Sequence, residues 1–172
     1  MIKEEIEDKD AIEMLLTESA GRKVEIKTPQ KGEKLKFVEK YDKKGNFEMT
    51  HVIHEIPPVY DDRSKILILG SFPSVKSREG QFFYHHKQNR FWKVLAAVFE
   101  DTLPETIEEK KEFLLRHNIA IWDVIASCDI EGSSDSSIKN VQPTDIGMIL
   151  EKTNITRIYA NGNKAGQLYK RY

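Results

Sequence analysis

Lys65-Ile-Leu-Ile-Leu-Gly70 is a continuous apolar run that closes on a glycine. Apolar at every internal position and bounded by turn residues, it predicts a strand buried on both faces, as in a parallel sheet. Two more segments read the same way, Ile119 to Ile125 and Ile155 to Ala160. Helical patterns lie between them. In Arg90 to Phe99, Phe91, Val94, Leu95, Val98 and Phe99 follow the 3.6-residue period. Glu105 to His117 reads as a second helix with Thr106 as its N-cap. A third runs from Thr144-Asp145 through Lys152, and Asn161-Gly162 opens a last one over Lys164 to Tyr172. Strand, helix, strand, helix, strand is the pattern of an α/β fold with a parallel sheet. His51 to Tyr60, with Pro57-Pro58, reads as an extended lead-in to it.

The chain has 172 residues, enough for one domain with a real core. Its 27 basic and 28 acidic residues nearly balance, so net charge points to neither nucleic acid nor membrane as partner. No apolar run is long enough to cross a bilayer. The first residues, MIKEEIEDKD, lack the apolar core of a signal peptide, and a cytoplasmic location is expected. The single cysteine, Cys128, excludes a disulfide within the chain and any multi-cysteine metal or cluster site. The five histidines lack metal-pair spacing, and neighbours such as His85 and His86 diverge, so neither a metal nor another cofactor is expected.

Residues 1–48 differ from the remainder, since about half of them are charged, a solvated composition. A short helix from Asp10, a short strand at Val24 and a second helix from Gly32 to Tyr41 are the expected elements. The domain division is therefore placed at 1–48 and 49–172.

Chemistry-bearing residues concentrate after the first strand. Gly70-Ser71-Phe72-Pro73-Ser74 sits at its carboxyl end, the edge where open parallel sheets bind ligands. On its own the stretch is also an ordinary strand-to-helix turn. Gln81 to Val94, QFFYHHKQNRFWKV, gathers aromatic, imidazole, carboxamide and cationic groups suited to a flat polar ring. Tyr84, His85 and His86 are more than packing needs, whereas Asn89 also suits an N-cap and Phe91 and Trp92 suit a core. Arg90 reads as a solvated charge or a phosphate contact. Ser133 to Ser137 with Lys139-Asn140 reads either as a locally capped surface loop or as a clamp on a sugar–phosphate backbone. Asp123 reads as a buried structural acid or a site residue.

Taken together, HEIPPVYDDRSKILILGSFPSVKSRE, FFYHHKQNRFWKVLAA, IWDVIASCDIEGSSDSSIKN and ANGNKA resemble the hypoxanthine (deoxyinosine) DNA glycosylases of the uracil-DNA glycosylase superfamily. The likeness covers about Thr50 to Tyr172, with a weaker one to the mismatch-specific uracil-DNA glycosylases around QNRFWKV. It implies a three-layer α/β/α fold with a parallel sheet. It also implies hydrolysis of the N-glycosidic bond of a deaminated purine in double-stranded DNA, after the nucleotide leaves the stack. Asn89 corresponds to the family's catalytic asparagine. A carboxamide does not titrate, but it can orient a water or hold the departing base. Tyr84 corresponds to the residue that stacks on the flipped base. Gly70, Ser71 and Ser74 match the first motif and, with Phe72 and His86, are expected to hold the base. Arg90, Ser134, Ser136, Ser137 and Lys139 are expected on the DNA backbone.

The chain departs from its relatives in three ways. Phe72 replaces a water-positioning asparagine of the mismatch-specific relatives, which favours purine over uracil. His85 and Lys87 replace a glycine and a proline, which implies a looser loop before Asn89. A further strand and a Ser/Pro-rich motif of the family have no match up to Tyr172. The sheet is accordingly expected to lack its last strand, and the isolated chain to aggregate or dimerise. Residues 11–41 separately resemble a central stretch of the excision-repair nuclease subunit UvrC, without its nuclease acids. The readings to separate are an active deoxyinosine glycosylase, a non-catalytic DNA-binding remnant of one, and an α/β domain in which Asn89 only caps a helix.

Overall fold

The computed structural model describes residues 49–172. The elements expected around Asp10, Val24 and Gly32 lie outside the described residues. The apolar run forms strand β2 (Ile66–Gly70), preceded by β1 (Met49–Ile53). β2 is the middle strand of a parallel sheet. On one side it pairs with β3 (Ile119–Asp123), Ile66 opposite Ile119 and Gly70 opposite Asp123. On the other it pairs with β6 (Arg157–Ala160), Ile66 opposite Arg157 and Leu69 opposite Ala160.

Strand alternation divides the core in two. Ile66 and Ile68 face Phe91, Trp92 and Leu95 of helix α2 (Phe91–Val98) and Phe113 and Leu114 of α3 (Ile107–Arg116). Leu67 and Leu69 face Leu168 of α5 (Asn163–Arg171) and the apolar side chains Val52, Ile125, Cys128 and Ile130. Those last residues belong to a second sheet, in which β4 (Ile125–Glu131) runs antiparallel to both β1 and β5 (Lys139–Pro143). The expected parallel α/β architecture is thus present, and an antiparallel sheet accompanies it.

Three boundaries differ from the sequence reading, each for a local reason. Ile119 to Ile125 is two strands. Val124 N–H turns to Gly70 O and Ile125 N–H to Ser71 O, so the chain leaves the parallel ladder and enters the antiparallel one. Helix α1 (Val75–Gly80) follows GSFPS at once, with Ser74 accepting from Ser77 N–H as its N-cap. The buried face of α2 comprises Phe91, Trp92, Leu95 and Ala96, while Val94 and Val98 are half-buried. Trp92 turns inward because its indole N–H finds the carbonyl of Phe83. The helices expected over Glu105 to His117 and Lys164 to Tyr172 match their signals, whereas the one expected from Thr144-Asp145 through Lys152 shrinks to four residues. Thr106 caps α3 in a reciprocal capping box with Glu109, and α4 (Gly147–Leu150) buries Ile149. No helix of the described residues is long and apolar enough to cross a membrane.

Candidate active site

The parallel register brings Gly70 and Asp123 side by side at the carboxyl edge of the sheet. Their spacing requires a glycine: a Cβ at Gly70 would lie 2.0 Å from Asp123 Oδ1. The other carboxylate oxygen of Asp123 accepts from His54 Nε2 at 2.8 Å, and the two side chains are only 6% and 1% exposed. His54 Nδ1 is buried and has no hydrogen-bond partner among the described residues, and the ring lies between Phe72 and Phe83. Thr144 Oγ1 donates to the carbonyls of Asp123 and Val124 and fixes the strand end from below.

Tyr84 closes over this edge. Its backbone is left-handed, with φ 50°, a strained conformation for an aromatic residue and one typical of functional loops. The ring stacks on Phe91 with centroids 3.9 Å apart. Asn161 Nδ2 donates to the phenol oxygen at 2.6 Å, and Asn161 N–H extends the β2–β6 ladder through Leu69 O. Burial, reinforced by the charges of Asp123 and Asp135, pushes the phenol well above its ordinary range. Tyr84 therefore stays protonated and keeps a hydroxyl proton to donate.

Ser71 connects the strand end to the serine loop. Its hydroxyl donates to Asp135 Oδ1 at 2.8 Å. Partial burial raises the Asp135 carboxyl, Ser71 and Lys164 oppose that shift, and Asp123 adds to it. Arg78 fastens the two loops together, donating from Nη1 to Pro73 O and from Nη2 to Gly132 O. Val75 N–H donates to Ser133 Oγ across the same seam.

The geometry therefore brings Gly70, Ser71 and Tyr84 together. Phe72 turns into the core under the Arg78 guanidinium, and Ser74 caps α1. Asn89 Oδ1 accepts from Phe91 N–H at 2.9 Å and so caps the start of α2, while its amide NH2 makes no bond among the described residues. His86 is exposed, its Nδ1 accepting from Gln88 N–H, and it lines an outer groove with Lys76, Glu79, His85 and Lys87. Arg90 and Lys139 are exposed. Ser134 and Ser136 bond each other, and Ser137 joins Ser134 O to Glu131 N–H, a locally closed turn.

Three contributors escaped the sequence reading as site residues: His54, Asp135 and Asn161. Each meets its partner 64 to 77 positions away in the chain. Their only signal was membership of the HEIPP, GSSDSS and ANGNKA stretches. The assembled edge offers a carboxylate acceptor, a phenol donor and an aromatic stack, a set that can grip a flat heterocycle carrying both N–H and C=O groups.

Residues 57–172 match the model of the uracil DNA glycosylase superfamily, and residues 1–46 match that of the UvrC ribonuclease H-like domain. A hypoxanthine DNA glycosylase of Methanosarcina acetivorans is 37% identical over 113 residues, 64% of this chain and 72% of that protein. Its counterpart in Methanosarcina barkeri is 33% identical over the same shares. The solution NMR structure of a candidate uracil DNA glycosylase from Methanosarcina acetivorans superposes with a TM-score of 0.61 at 32% identity, covering 67% of this chain and 73% of that one.

Proposed function

The chain belongs to the uracil DNA glycosylase superfamily and is a DNA repair glycosylase, and from that premise we propose that its substrate is a deaminated purine, hypoxanthine above all, in double-stranded DNA. The observation that carries this choice of base is the 37% identity to a hypoxanthine DNA glycosylase over most of both domains. Residues 49–172 are the unit that performs it.

The reaction needs the nucleotide out of the stack before its sugar carbon is reachable. In the proposed arrangement the extruded base enters at the carboxyl edge beside Gly70, Ser71 and Ser74, next to Phe72. Tyr84 supplies the stacking face, already braced by Phe91. Asn89 uses its unengaged amide NH2 on the departing base or the incoming water, its oxygen being held by Phe91 N–H. His86, expected to hold the base, lies exposed on the outer groove, so its proposed role moves to the DNA outside the base pocket, while Arg90, Ser134, Ser136, Ser137 and Lys139 contact the backbone.

The test is base release from duplex oligonucleotides carrying one deoxyinosine or one deoxyuridine, read as alkali-labile sites. The expected result is cleavage at deoxyinosine well above deoxyuridine. Salt-dependent binding with no cleavage would support a DNA-binding remnant and remove the proposal.

A further inference from the structure

Hydrolysis of a glycosidic bond leaves one proton to place, and the residues assigned so far do not accept it. Asn89 has no titrating group, and its oxygen already takes the Phe91 N–H. Tyr84 is held protonated. Asp123 is buried under Gly70 with one oxygen tied to His54. Asp135 differs from all of these. Ser71, at the end of β2, fixes its Oδ1, while Oδ2 makes no bond among the described residues and the residue reaches solvent. Because Ser71 directly follows Gly70 at the end of β2, this bond places the carboxylate at the carboxyl edge of the sheet.

We infer that Asp135, anchored by Ser71, is the catalytic carboxylate that receives the proton of the attacking water. The inference rests on the glycosylase reading above. In the step, the bond between the sugar C1′ and the base nitrogen breaks and its electron pair leaves with the base. The water oxygen bonds to C1′, and the water proton passes to Asp135 Oδ2 and then to solvent. The departing base takes a proton from solvent, so one water is added across the bond in sum. Before the proton arrives, the carboxylate also faces a sugar that becomes cation-like, a favourable pairing of charges.

The groups around Asp135 set when it is ionised. Ser71 from β2 and Lys164 from α5 favour the carboxylate, while partial burial and Asp123 from β3 oppose it. Tyr84 from the aromatic loop and Cys128 from β4 sense its charge, and Arg78 of α1 braces its loop through Gly132 O. The active form is the ionised one, so the rate falls as pH drops through the raised pKa of this carboxyl.

The experiment uses the full chain in single-turnover release of hypoxanthine from a deoxyinosine duplex, from acid to mildly alkaline pH. Failure of the native chain to release base removes the glycosylase reading itself, before any variant is compared. Given native activity, Asp135→Asn keeps the Ser71 hydrogen bond through its carboxamide oxygen and loses only the charge. It is expected to lose about 100-fold in rate, in the range of general base catalysis, with duplex affinity within about threefold and the acid limb of the profile abolished. Asp135→Ala with added formate is expected to regain about tenfold, a recovery that a structural role would not give. Asp135→Asn with near-native rate, or with the acid limb intact, overturns the inference. If Asp135→Asn melts below the assay temperature, the formate experiment decides alone, and no recovery overturns it.

Discussion

Gly70→Ala is the smallest change that reaches the centre of the proposed site. The added methyl would sit 2.0 Å from Asp123 Oδ1, 3.3 Å from Asp123 Cγ and 3.2 Å from the Tyr84 hydroxyl. Asp123 cannot swing aside freely, because it is short and its Oδ2 is bonded to the buried His54 ring. Overpacking of this kind costs about 1–3 kcal/mol. Complete loss of a buried charge's partner would cost about 3–5 kcal/mol, a limit approached only if the His54 bond breaks outright. Against this stands about 0.4–1 kcal/mol gained by restricting the unfolded chain. The net expectation is a loss of about 1–2 kcal/mol. At roughly 2–4 °C per kcal/mol, the melting temperature should fall by about 2–8 °C. Thermal unfolding by circular dichroism measures it. Asp123→Ala removes the obstructing atoms, so the penalty should shrink by at least about 1 kcal/mol in the double variant. A Gly70→Ala protein as stable as the native one, or more stable, would refute the close packing of Gly70 against Asp123.

Further predictions follow from other parts of the chain. Thr106→Ala removes the capping box of α3 and should cost about 1 kcal/mol in denaturant unfolding with base release unchanged. Asp101 is held well below the ordinary carboxylate range by hydrogen bonds from His117 first and then Arg116, and Asp129 is lowered by Asn140 and His51. Because their folded pKa values are depressed, the stability they contribute is present above the ordinary carboxylate range and is lost as pH falls through the folded values. Asp101→Asn should therefore make the acid melt shallower while changing its low-pH end little. Burial raises the Cys128 thiol to about 11, so iodoacetamide at pH 8 should modify it only in denaturant. Rapid labelling of the native protein would contradict its place in the core.

Which features were legible in the sequence follows from how far apart the partners lie. β2 was legible because burial on both faces leaves an unbroken apolar run, and α3 because Thr106 and Glu109 cap it within one turn. Helix α1 escaped notice because six residues, VKSREG, are too few to show a period. The antiparallel sheet escaped because Met49 pairs with Glu131, a register no local pattern encodes. The site behaves alike. Gly70, Ser71 and Tyr84 announced themselves within short stretches, and Asp123 stood out at the end of its strand, whereas His54 meets Asp123 and Asp135 meets Ser71 only across the fold. Asn89 shows why a motif alone is ambiguous: the oxygen that makes it a cap is fixed by Phe91 N–H, and its remaining amide group is what a catalytic role would use.

The central claim is that this edge opens the glycosidic bond of hypoxanthine in DNA and that Asn89 takes part. The most direct measurement is single-turnover base release from a deoxyinosine duplex by the native chain and by Asn89→Asp, which retains the oxygen that caps α2 but lacks the amide NH2. The account predicts release by the native chain and a loss of at least about 100-fold in Asn89→Asp at unchanged melting temperature. Equal rates for the two proteins, or no release by either, would contradict it.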